Sequence, residues 1–569
     1  MSFRFSPREN RANDIAWSSW SPQAFQRAND EKKPILLSIS AVWCHWCHVM
    51  DETSYSDPQV IALINERFIP IRVDNDERPD INARYNMGGW PTTAFLTPDG
   101  KALTGATYLP PEQMRRALAD VATYFHDHAD DIAQQPDRSR MSALDLRSHN
   151  EPLDETLLTA VLDDAWAHFD AEYGGFGDAP KFPHIDLLEL LLQRSRSTRD
   201  ERAAEMFVAT LRGMSTGGTY DHVEGGFFRY STTRDWSVPH FEKMAEDHAG
   251  LLRALAGLVI ESRDATLRVT LQTATNYVRT NFYDAATHFF AGSQDADEIY
   301  FALDAKGRAG HKAPYIDRTS YTNWTLDLAS AFFACGTALE DAALIANACA
   351  TLDAAHDRLR DAEGLLFHVL RPGQAPSVRG LLTDQVAYLR AVLDAYEYTG
   401  ESRFLSRAQT HAALVCSRFL DETGAASDHL ASEGALGRLS LADHPLTENG
   451  RLAFALLRLG RIAQTPQPQA SGILRAFAPT AGKSGIFAAA LARAVEFALA
   501  PDAHITLEGQ NLGSLAPLRA AALRLRNPFI VIATDLRDEA IPRALPCVGT
   551  ACGAPIADPA KLAEAFENL

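Results

Sequence analysis

The stretch that decides the fold spans residues 41–50 and reads AVWCHWCHVM. An apolar run at 34–40 precedes it and predicts a buried strand, and residues 43–50 predict the start of a helix. Two thiols separated by two residues at a helix start share one face and are close enough to form a small-loop disulfide. The positive end of the helix dipole and the unpaired amides there favour a thiolate at Cys44. The sequence therefore predicts redox chemistry at Cys44 and Cys47.

Two other uses of the same cysteines are conceivable. Cys44, Cys47 and His48 have the spacing of a c-type haem attachment motif. Haem attachment normally requires export, and residues 1–10 contain no apolar signal-peptide segment. A zinc site could use these cysteines with a histidine, but no second Cys-x-x-Cys or His-x-x-x-His pattern completes four ligands. The redox dithiol is the preferred prediction, with no metal and no cofactor.

The residues after the motif complete the predictions for one small α/β domain. Proline cannot sit in the middle of a strand ladder, so Pro91 at the start of a strand predicts a cis Trp90-Pro91 peptide. The predicted elements, in order, are a strand at 68–74, a strand at 94–97, a hairpin turn at 98–100, a returning strand at 101–109 and a helix from 111. Strand, Cys-x-x-Cys helix, strand, cis-Pro hairpin and helix is the order found in thioredoxin.

Longer motifs make a family resemblance specific. They are CHWCHVM at 44–50, VDNDERPD at 73–80, GWP at 89–91, GGF at 225–227, PHFEKM at 239–244 and DAD at 295–297. Together they resemble the spermatogenesis-associated, thioredoxin-domain-containing family over nearly the whole chain. That family joins a thioredoxin-like domain to a helical barrel related to six-hairpin glycosidases and sugar epimerases.

The resemblance implies a multidomain fold, with an α/β thioredoxin-like domain followed by an all-α (α/α)6 toroid of the six-hairpin glycosidase type. We predict the thioredoxin-like domain at 1–133, a polar linker at 134–152, and the barrel with a small strand-containing C-terminal segment at 153–569. A degenerate Asp-and-Gly turn, as in FDAEYGGF at 169–176 and LRDAEGLLF at 359–367, ends successive amphipathic helices and predicts helical hairpins. The repeat alone would also suit an open solenoid.

Composition limits the possible partners. The chain has 569 residues, 46% apolar and 22% charged, and a formal charge of −19. That charge argues against nucleic acid or an anionic membrane as a main partner. No apolar run approaches the ~20 residues of a membrane span. We predict a soluble, cytoplasmic protein.

The cysteines outside the motif are predicted to be structural. Cys335, Cys349 and Cys416 lie singly in helical patterns and are predicted to be buried free thiols. Cys547 and Cys552 could form a disulfide or exchange with Cys44. In a reducing compartment two reduced structural thiols are the preferred interpretation.

Thiol–disulfide exchange on a protein or small-molecule disulfide is the leading functional hypothesis. Cys44 is the predicted attacking thiolate, Cys47 the resolving thiol, and Pro91 in cis shapes the substrate groove. Position 38, six residues before Cys44, is serine, whereas thioredoxins place a buried acid there. Proton transfer would then need another group, and His45 and His48 are candidates because imidazole titrates near neutrality.

A second hypothesis concerns polar residues in the predicted barrel loops: His222, His240, Glu242, Asp295 and Asp297. Carboxylates and imidazoles beside aromatic residues suit a carbohydrate ligand. Paired carboxylates could hydrolyse a glycosidic bond, or His222 and His240 could move a proton α to a carbonyl, as in epimerases of this fold. Alternatively, residues 240–244 lock the barrel through buried hydrogen bonds, or the barrel binds a ligand without catalysis.

Overall fold

A computed structural model describes residues 5–128, 131–132, 146, 153–262, 264–430, 435–538 and 541–567. The chain divides into two compact units. The thioredoxin-like unit comprises residues 1–144 with the segments 294–296 and 428–443, and the barrel unit comprises 145–293, 297–427 and 444–569. The predicted linker at 134–152 lies outside the described residues except for Leu146, so its boundaries stay a prediction.

The sheet of the thioredoxin-like unit has four strands: β1 (Ile35–Ser40), β2 (Ile69–Asp74), β3 (Thr92–Leu96) and β4 (Ala102–Ala106). Their order is β2-β1-β3-β4, with β1 parallel to β2 and antiparallel to β3, and β3 antiparallel to β4. The helices are α1 (Pro22–Glu31), α2 (His45–Glu52), α3 (Pro58–Arg67), α4 (Pro79–Tyr85) and α5 (Pro111–Asp127). The predicted thioredoxin-like order is confirmed.

Alternation along the central strand β1 creates two cores. Leu37 and Ile39 belong to the cluster that also holds Phe25 of α1, whereas Leu36 belongs to the cluster that holds Met50 of α2 and Met114 of α5. Successive residues of a strand point to opposite faces, so one apolar run supplies both clusters. All six residues of β1 are buried. The strand therefore fixes the position of the Cys-x-x-Cys turn that follows it.

A segment distant in sequence completes this unit. Leu439 packs into the cluster of Leu37 and Ile39. Arg84 Nη1 donates to Asp428 Oδ2 at 2.6 Å. The Tyr85 hydroxyl donates to the carbonyl of Gly100 at 2.7 Å and accepts the backbone N–H of Arg438 at 2.7 Å. The described residues 428–430 and 435–443 therefore belong to the thioredoxin-like unit.

The described helices of the barrel unit form six hairpins. The outer helices are α6 (Thr156–His168), α8 (Glu201–Thr216), α10 (Ala265–Asn281), α14 (Ala342–Arg358), α16 (Ser402–Phe419) and α18 (Pro468–Ala481). The inner helices are α7 (Ile185–Thr198), α9 (Ala245–Glu261), α13 (Thr322–Leu339), α15 (Leu382–Thr399), α17 (Leu446–Ala463) and α19 (Ala489–Leu499). Each inner helix contacts the next, and α19 contacts α7, so the ring closes. The predicted (α/α)6 toroid is confirmed, and an open solenoid is excluded.

Short elements precede the inner helices. The strands are β5 (Tyr230–Ser231), β6 (Pro239–His240), β7 (Lys243–Met244), β8 (Ser293–Gln294), β9 (Ile316–Asp317), β10 (Ser320–Tyr321), β11 (Phe367–Leu370) and β12 (Ser377–Arg379). Two short helices, α11 (Glu298–Phe301) and α12 (Ala305–Ala309), lie in the longest connection. Because inner and outer helices alternate in direction, these loops gather at the end of the barrel where the inner helices begin.

The described C-terminal residues form a four-stranded sheet of β13 (Ala503–Gly509), β14 (Ile530–Leu536), β15 (Arg543–Val548) and β16 (Ala551–Cys552), in the order β14-β13-β15-β16. The helices α20 (Leu512–Ala522) and α21 (Leu562–Glu567) accompany it. Cys547 and Cys552 are joined by a disulfide. The prediction that they are reduced thiols is therefore wrong, because strand pairing sets the two residues directly opposite each other.

The three single cysteines are free, as predicted, but only one of them is fully buried. Cys335 is a buried free thiol, while Cys349 and Cys416 are free and half-buried. Among the described helices, none combines the length and the apolar character needed to cross a membrane.

Candidate functional site

Cys44 is the N-cap residue of α2. Its carbonyl accepts the backbone N–H groups of Cys47 at 3.1 Å and of His48 at 3.2 Å, and its Sγ accepts the N–H of Cys47 at 3.2 Å. Cys44 and Cys47 are joined by a disulfide, with their Cα atoms 5.2 Å apart. In the reduced protein the same amide and the helix dipole would stabilise a thiolate at Cys44.

The loop before β3 faces this turn. The Trp90–Pro91 peptide is cis, as its position before a strand predicts. The rings of Trp43 and Trp90 meet edge to face at 5.7 Å, so the residue before Cys44 packs against the residue before Pro91. Trp43 Nε1 also donates to Asp76 Oδ2 at 2.7 Å. These contacts bring the dithiol turn and the cis-proline loop together.

A buried ion pair lies on the face of α2 that carries Cys47. Asp51 follows Cys47 by one helical turn, and Arg72 of β2 donates to its two carboxylate oxygens at 2.7 and 3.1 Å. Arg72 pairs in register with the buried Ser38 of β1, the position of the acid in thioredoxins. The buried carboxylate on this side of the sheet therefore belongs to helix α2, and Arg72 pairs with it.

The surface around the dithiol is aromatic. Cys44 and Cys47 are only 4% and 2% exposed, whereas Trp46 between them is 50% exposed. The Trp46 ring contacts the ring of Tyr108 at 5.2 Å. His45 is exposed and contacts Trp46. The indole of Trp46 is therefore exposed beside two buried cysteines.

In the barrel unit, the structure brings His240 and Glu242 together. His240 Nδ1 forms a short hydrogen bond with Glu242 Oε2, and the His240 ring stacks on Tyr230 at 5.0 Å. Glu242 is fully buried, and its Oε1 has no hydrogen-bond partner among the described residues. A buried carboxylate with one unpartnered oxygen beside an imidazole is suited to acid–base chemistry or to binding a hydroxyl.

The other residues predicted for the barrel site have local partners. His222 is exposed, and its Nε2 bonds to the carbonyl of Gly217 at 3.0 Å. Asp295, which lies in the segment 294–296 of the thioredoxin-like unit, accepts the N–H of Ala296 at its Oδ1 at 3.0 Å. Asp297 is the N-cap of α11. The predicted histidine pair is therefore divided between two environments.

Lys243, next to Glu242, has a structural role that we predicted only for the motif as a whole. It is fully buried, and its Nζ donates to Asp221 Oδ2 at 2.7 Å and to the Gly225 carbonyl at 2.8 Å. Lys181 repeats the arrangement one hairpin earlier with Asp170 at 2.6 Å. Each lysine closes one Asp-and-Gly turn, so this part of the motif locks the barrel.

Two carboxyl groups at the start of α9 belong to the polar cluster of the sequence around His240, but the sequence alone gives them no role. Burial, with Glu246 and Glu242 nearby, raises the pKa of Asp247 to about 8. Loss of hydration among the surrounding protein atoms also raises the pKa of Glu246, although part of its side chain is exposed to solvent. The charged neighbours of Glu246 include Arg451 of α17 and Asp327 of α13, so it lies where several inner helices converge. A protonated acid at neutral pH is a candidate proton donor.

Comparison with known proteins supports the thioredoxin-like assignment. The family described as "Thioredox_DsbH: Protein of unknown function, DUF255" matches residues 6–144. Human spermatogenesis-associated protein 20 is 34% identical over 313 residues, which cover 50% of this chain and 39% of that protein. The chain is similar to the spermatogenesis-associated, thioredoxin-domain-containing family. The matched stretches span well under half the length of these curated relatives.

Two further known proteins are similar to part of this chain. The thiol:disulfide interchange protein DsbD of Pseudomonas fluorescens is 32% identical over 96 residues, 16% of each chain. The solved cellobiose 2-epimerase of Bacillus thermoamylovorans covers 58% of this chain and 85% of its own, at 14% identity and a TM-score of 0.47. The toroid assignment itself rests on the closed ring of inner helices.

Proposed function

We propose that the thioredoxin-like unit carries out thiol–disulfide exchange on a protein or small-molecule disulfide. The observation that carries this proposal is Cys44 as the N-cap of α2, bonded to Cys47 and set against the cis-proline loop. In the reducing direction, the Cys44 thiolate attacks one sulfur of the substrate and forms a mixed disulfide. Cys47 then attacks Cys44 Sγ, the substrate leaves as a dithiol, and the Cys44–Cys47 disulfide forms.

The surroundings support this division of roles. Cys44 receives the amide of Cys47, so the thiolate is favoured at the first cysteine. Trp46 and Tyr108 offer aromatic contact area beside it for a bound polypeptide. Asp51 is neutralised by Arg72, so His45 and His48 remain our candidates for transferring the proton of Cys47.

Insulin reduction with dithiothreitol tests the proposal. We expect Cys44→Ser to remove the activity, and Cys47→Ser to accumulate a mixed disulfide with the substrate. Cys416→Ser is the matched control, because Cys416 is a half-buried free thiol in the barrel unit. Activity that survives in Cys44→Ser would contradict the assignment.

A second function, acid–base chemistry on a carbohydrate in the barrel, is favoured by Glu242 and Asp247. Glu242 keeps one unpartnered buried oxygen, and the pKa of the nearby Asp247 carboxyl is raised to about 8, so that carboxyl holds a proton at neutral pH. Such a pair can divide the base and acid roles of a hydrolase or an epimerase.

Thermal-shift screening with mono- and disaccharides tests this second function. A shift that disappears in His240→Ala but remains in His222→Ala would support a sugar site at Glu242, because His222 is exposed and bonds elsewhere. A shift without turnover would favour a binding barrel. No shift with any sugar would count against a carbohydrate ligand.

A further inference from the structure

We propose that the Cys547–Cys552 disulfide is a second thiol–disulfide exchange site, in which Cys552 is attacked and His504 serves the sulfur of Cys547. Nothing in the first proposal requires it, since the two cysteines lie in the C-terminal sheet of the barrel unit. The substrate class is a dithiol that this disulfide oxidises, or a disulfide that the reduced pair reduces.

Strand register places three reactive side chains in a row. Cys547 of β15 is directly opposite Cys552 of β16, and His504 of β13 is directly opposite Cys547. Directly opposed residues of antiparallel strands lie on the same face, with Cβ atoms about 4.5–5.5 Å apart. One face of the sheet therefore presents an imidazole, a buried sulfur and an outer sulfur in sequence.

The two sulfurs differ in access. Cys547 is 2% exposed, whereas Cys552 is exposed and lies on β16, the edge strand of the sheet. An incoming thiolate must approach along the line of the disulfide bond, and only Cys552 can be reached from solvent. Attack therefore forms a mixed disulfide at Cys552 and releases Cys547.

His504 has an amide and a carboxylate on its Nδ1 side. Gln464 Nε2 donates to Nδ1 at 3.5 Å, and Asp502 Oδ1 lies 3.8 Å from the same nitrogen. Arg461 Nε lies 3.9 Å from that Asp502 oxygen. Because Nδ1 accepts the amide hydrogen bond, Nε2 is the ring nitrogen that can exchange a proton with Cys547.

The chemistry balances with a dithiol as the electron donor. A thiolate of the donor attacks Cys552 Sγ, the Cys547–Cys552 bond breaks, and Cys547 leaves as a thiolate that takes a proton from solvent through His504. The second thiol of the donor, deprotonated, attacks the donor sulfur of the mixed disulfide and releases Cys552. The donor ends as an intramolecular disulfide, and the protein gains two thiols.

The experiment uses the full chain carrying Cys44→Ser and Cys47→Ser, so that the first site cannot contribute. The protein is incubated natively in graded mixtures of reduced and oxidised dithiothreitol, quenched by alkylation, and the peptide containing Cys547 and Cys552 is quantified by mass spectrometry. We expect reversible conversion within minutes. A pair that stays oxidised natively and is reduced only after unfolding in urea is a structural disulfide, and the proposal would fall.

Two variant pairs sharpen the test in the same background. His504→Gln should slow reduction by at least about tenfold near neutral pH and flatten its pH profile, as loss of a general acid does. Thr506→Val, two residues along the same strand and face, should leave both unchanged. An equal effect of the two variants would remove the role of His504.

Alkylation of single-cysteine variants tests the direction of attack. Cys552 in Cys547→Ser should react with iodoacetamide faster than Cys547 does in Cys552→Ser. Equal rates would contradict the assignment of Cys552 as the attacked sulfur. The unfolding midpoint of each variant identifies any that fail to fold. Insulin reduction by the wild-type first site is measured separately, so failure of one proposal does not decide the other.

Discussion

The two units bury charge for different purposes. In the thioredoxin-like unit, one ion pair, Arg72 with Asp51, lies behind the dithiol on the same helix as Cys47. In the barrel unit, Lys243 with Asp221 closes a turn. Both pairs are buried, yet one supports a reactive helix and the other fixes the entry to an inner helix. Burial of a charged pair therefore does not by itself identify a functional site. A nearby polar atom without a hydrogen-bond partner is a better sign of a binding or catalytic role.

Glu242 illustrates that distinction inside a single motif. Lys243 has partners for its buried charge, whereas the adjacent Glu242 leaves Oε1 without one among the described residues. Substitution of Lys243 should therefore lower the free energy of unfolding, whereas substitution of Glu242 should weaken ligand binding. We expect the loss of unfolding free energy to differ between the thioredoxin-like unit and the barrel unit.

The largest effect is expected for Arg72→Met, which leaves the carboxylate of Asp51 buried without its charge partner. Loss of one partner of a buried ion pair costs about 3–5 kcal/mol of unfolding free energy. Hydrogen exchange followed by mass spectrometry measures the unfolding free energy of the thioredoxin-like unit separately from that of the barrel unit. Adding Asp51→Asn should recover part of the loss, since no buried charge then remains. No recovery would mean that arginine packing, not charge, is what matters there.

Lys243→Met should cost less, about 2 kcal/mol, because Arg308 still donates to Asp221 at 2.7 Å while the Gly225 carbonyl loses its donor. Hydrogen exchange of the barrel unit is the measurement. Lys312→Met removes an exposed lysine from the same unit and should be neutral. A loss as large as that of Arg72→Met would mean that the two units depend equally on their buried cations.

Asp247→Asn should change how the unfolding free energy of the barrel unit depends on pH. The pKa of this carboxyl is raised in the folded state, to about 8, so between pH 4 and 8 the folded chain binds the extra proton and stability falls as pH rises. The slope is at most about 1.4 kcal/mol per pH unit. The asparagine variant should lose this slope in urea unfolding at pH 5 to 8. Asp357→Asn, at an exposed position, should keep it.

The smallest effect concerns helix caps, where the two units should not differ. Asp57 caps α3 by accepting the N–H groups of Gln59 and Val60, each at 3.0 Å, and Asp264 caps α10 in the same way. Asp57→Ala and Asp264→Ala should each cost about 1 kcal/mol. Thermal unfolding measures both. A cost several times larger in one unit would show that its aspartate does more than cap a helix.

The thioredoxin-like site could be predicted because its signals are local. The Cys-x-x-Cys helix start, the cis proline before a strand and the hairpin turn each occupy a few adjacent residues. The sequence does not show that Asp51 is the partner of Arg72. An arginine in the apolar strand Ile69–Asp74 predicts only that some buried acidic partner exists. The partner lies 21 residues away and depends on the tertiary packing of α2 against β2.

The barrel shows the same limit more strongly. The turn repeat predicted hairpins, but ring closure depends on contacts between α7 and α19, which are far apart in sequence. The polar motif at 239–244 singled out Glu242 and His240 but did not separate them from the lock at Lys243. Asp247 lies in the same polar stretch, but only its burial beside Glu246 and Glu242 in the folded chain reveals its raised pKa. The prediction that Cys547 and Cys552 are reduced was wrong because it was based on the redox conditions of the expected compartment. The pairing of the two residues on adjacent strands could not be predicted from that argument.

The return of residues 428–443 to the N-terminal fold has a practical consequence for anyone cloning fragments. A truncated chain that stops at residue 144 would leave an empty place where Leu439 packs, Arg84 without Asp428, and the Tyr85 hydroxyl without the amide of Arg438. Such a fragment should be less stable than the intact unit, for reasons unrelated to its cysteines. Dissection of this protein therefore needs point substitutions in the intact polypeptide, or a grafted loop that restores the missing side chains.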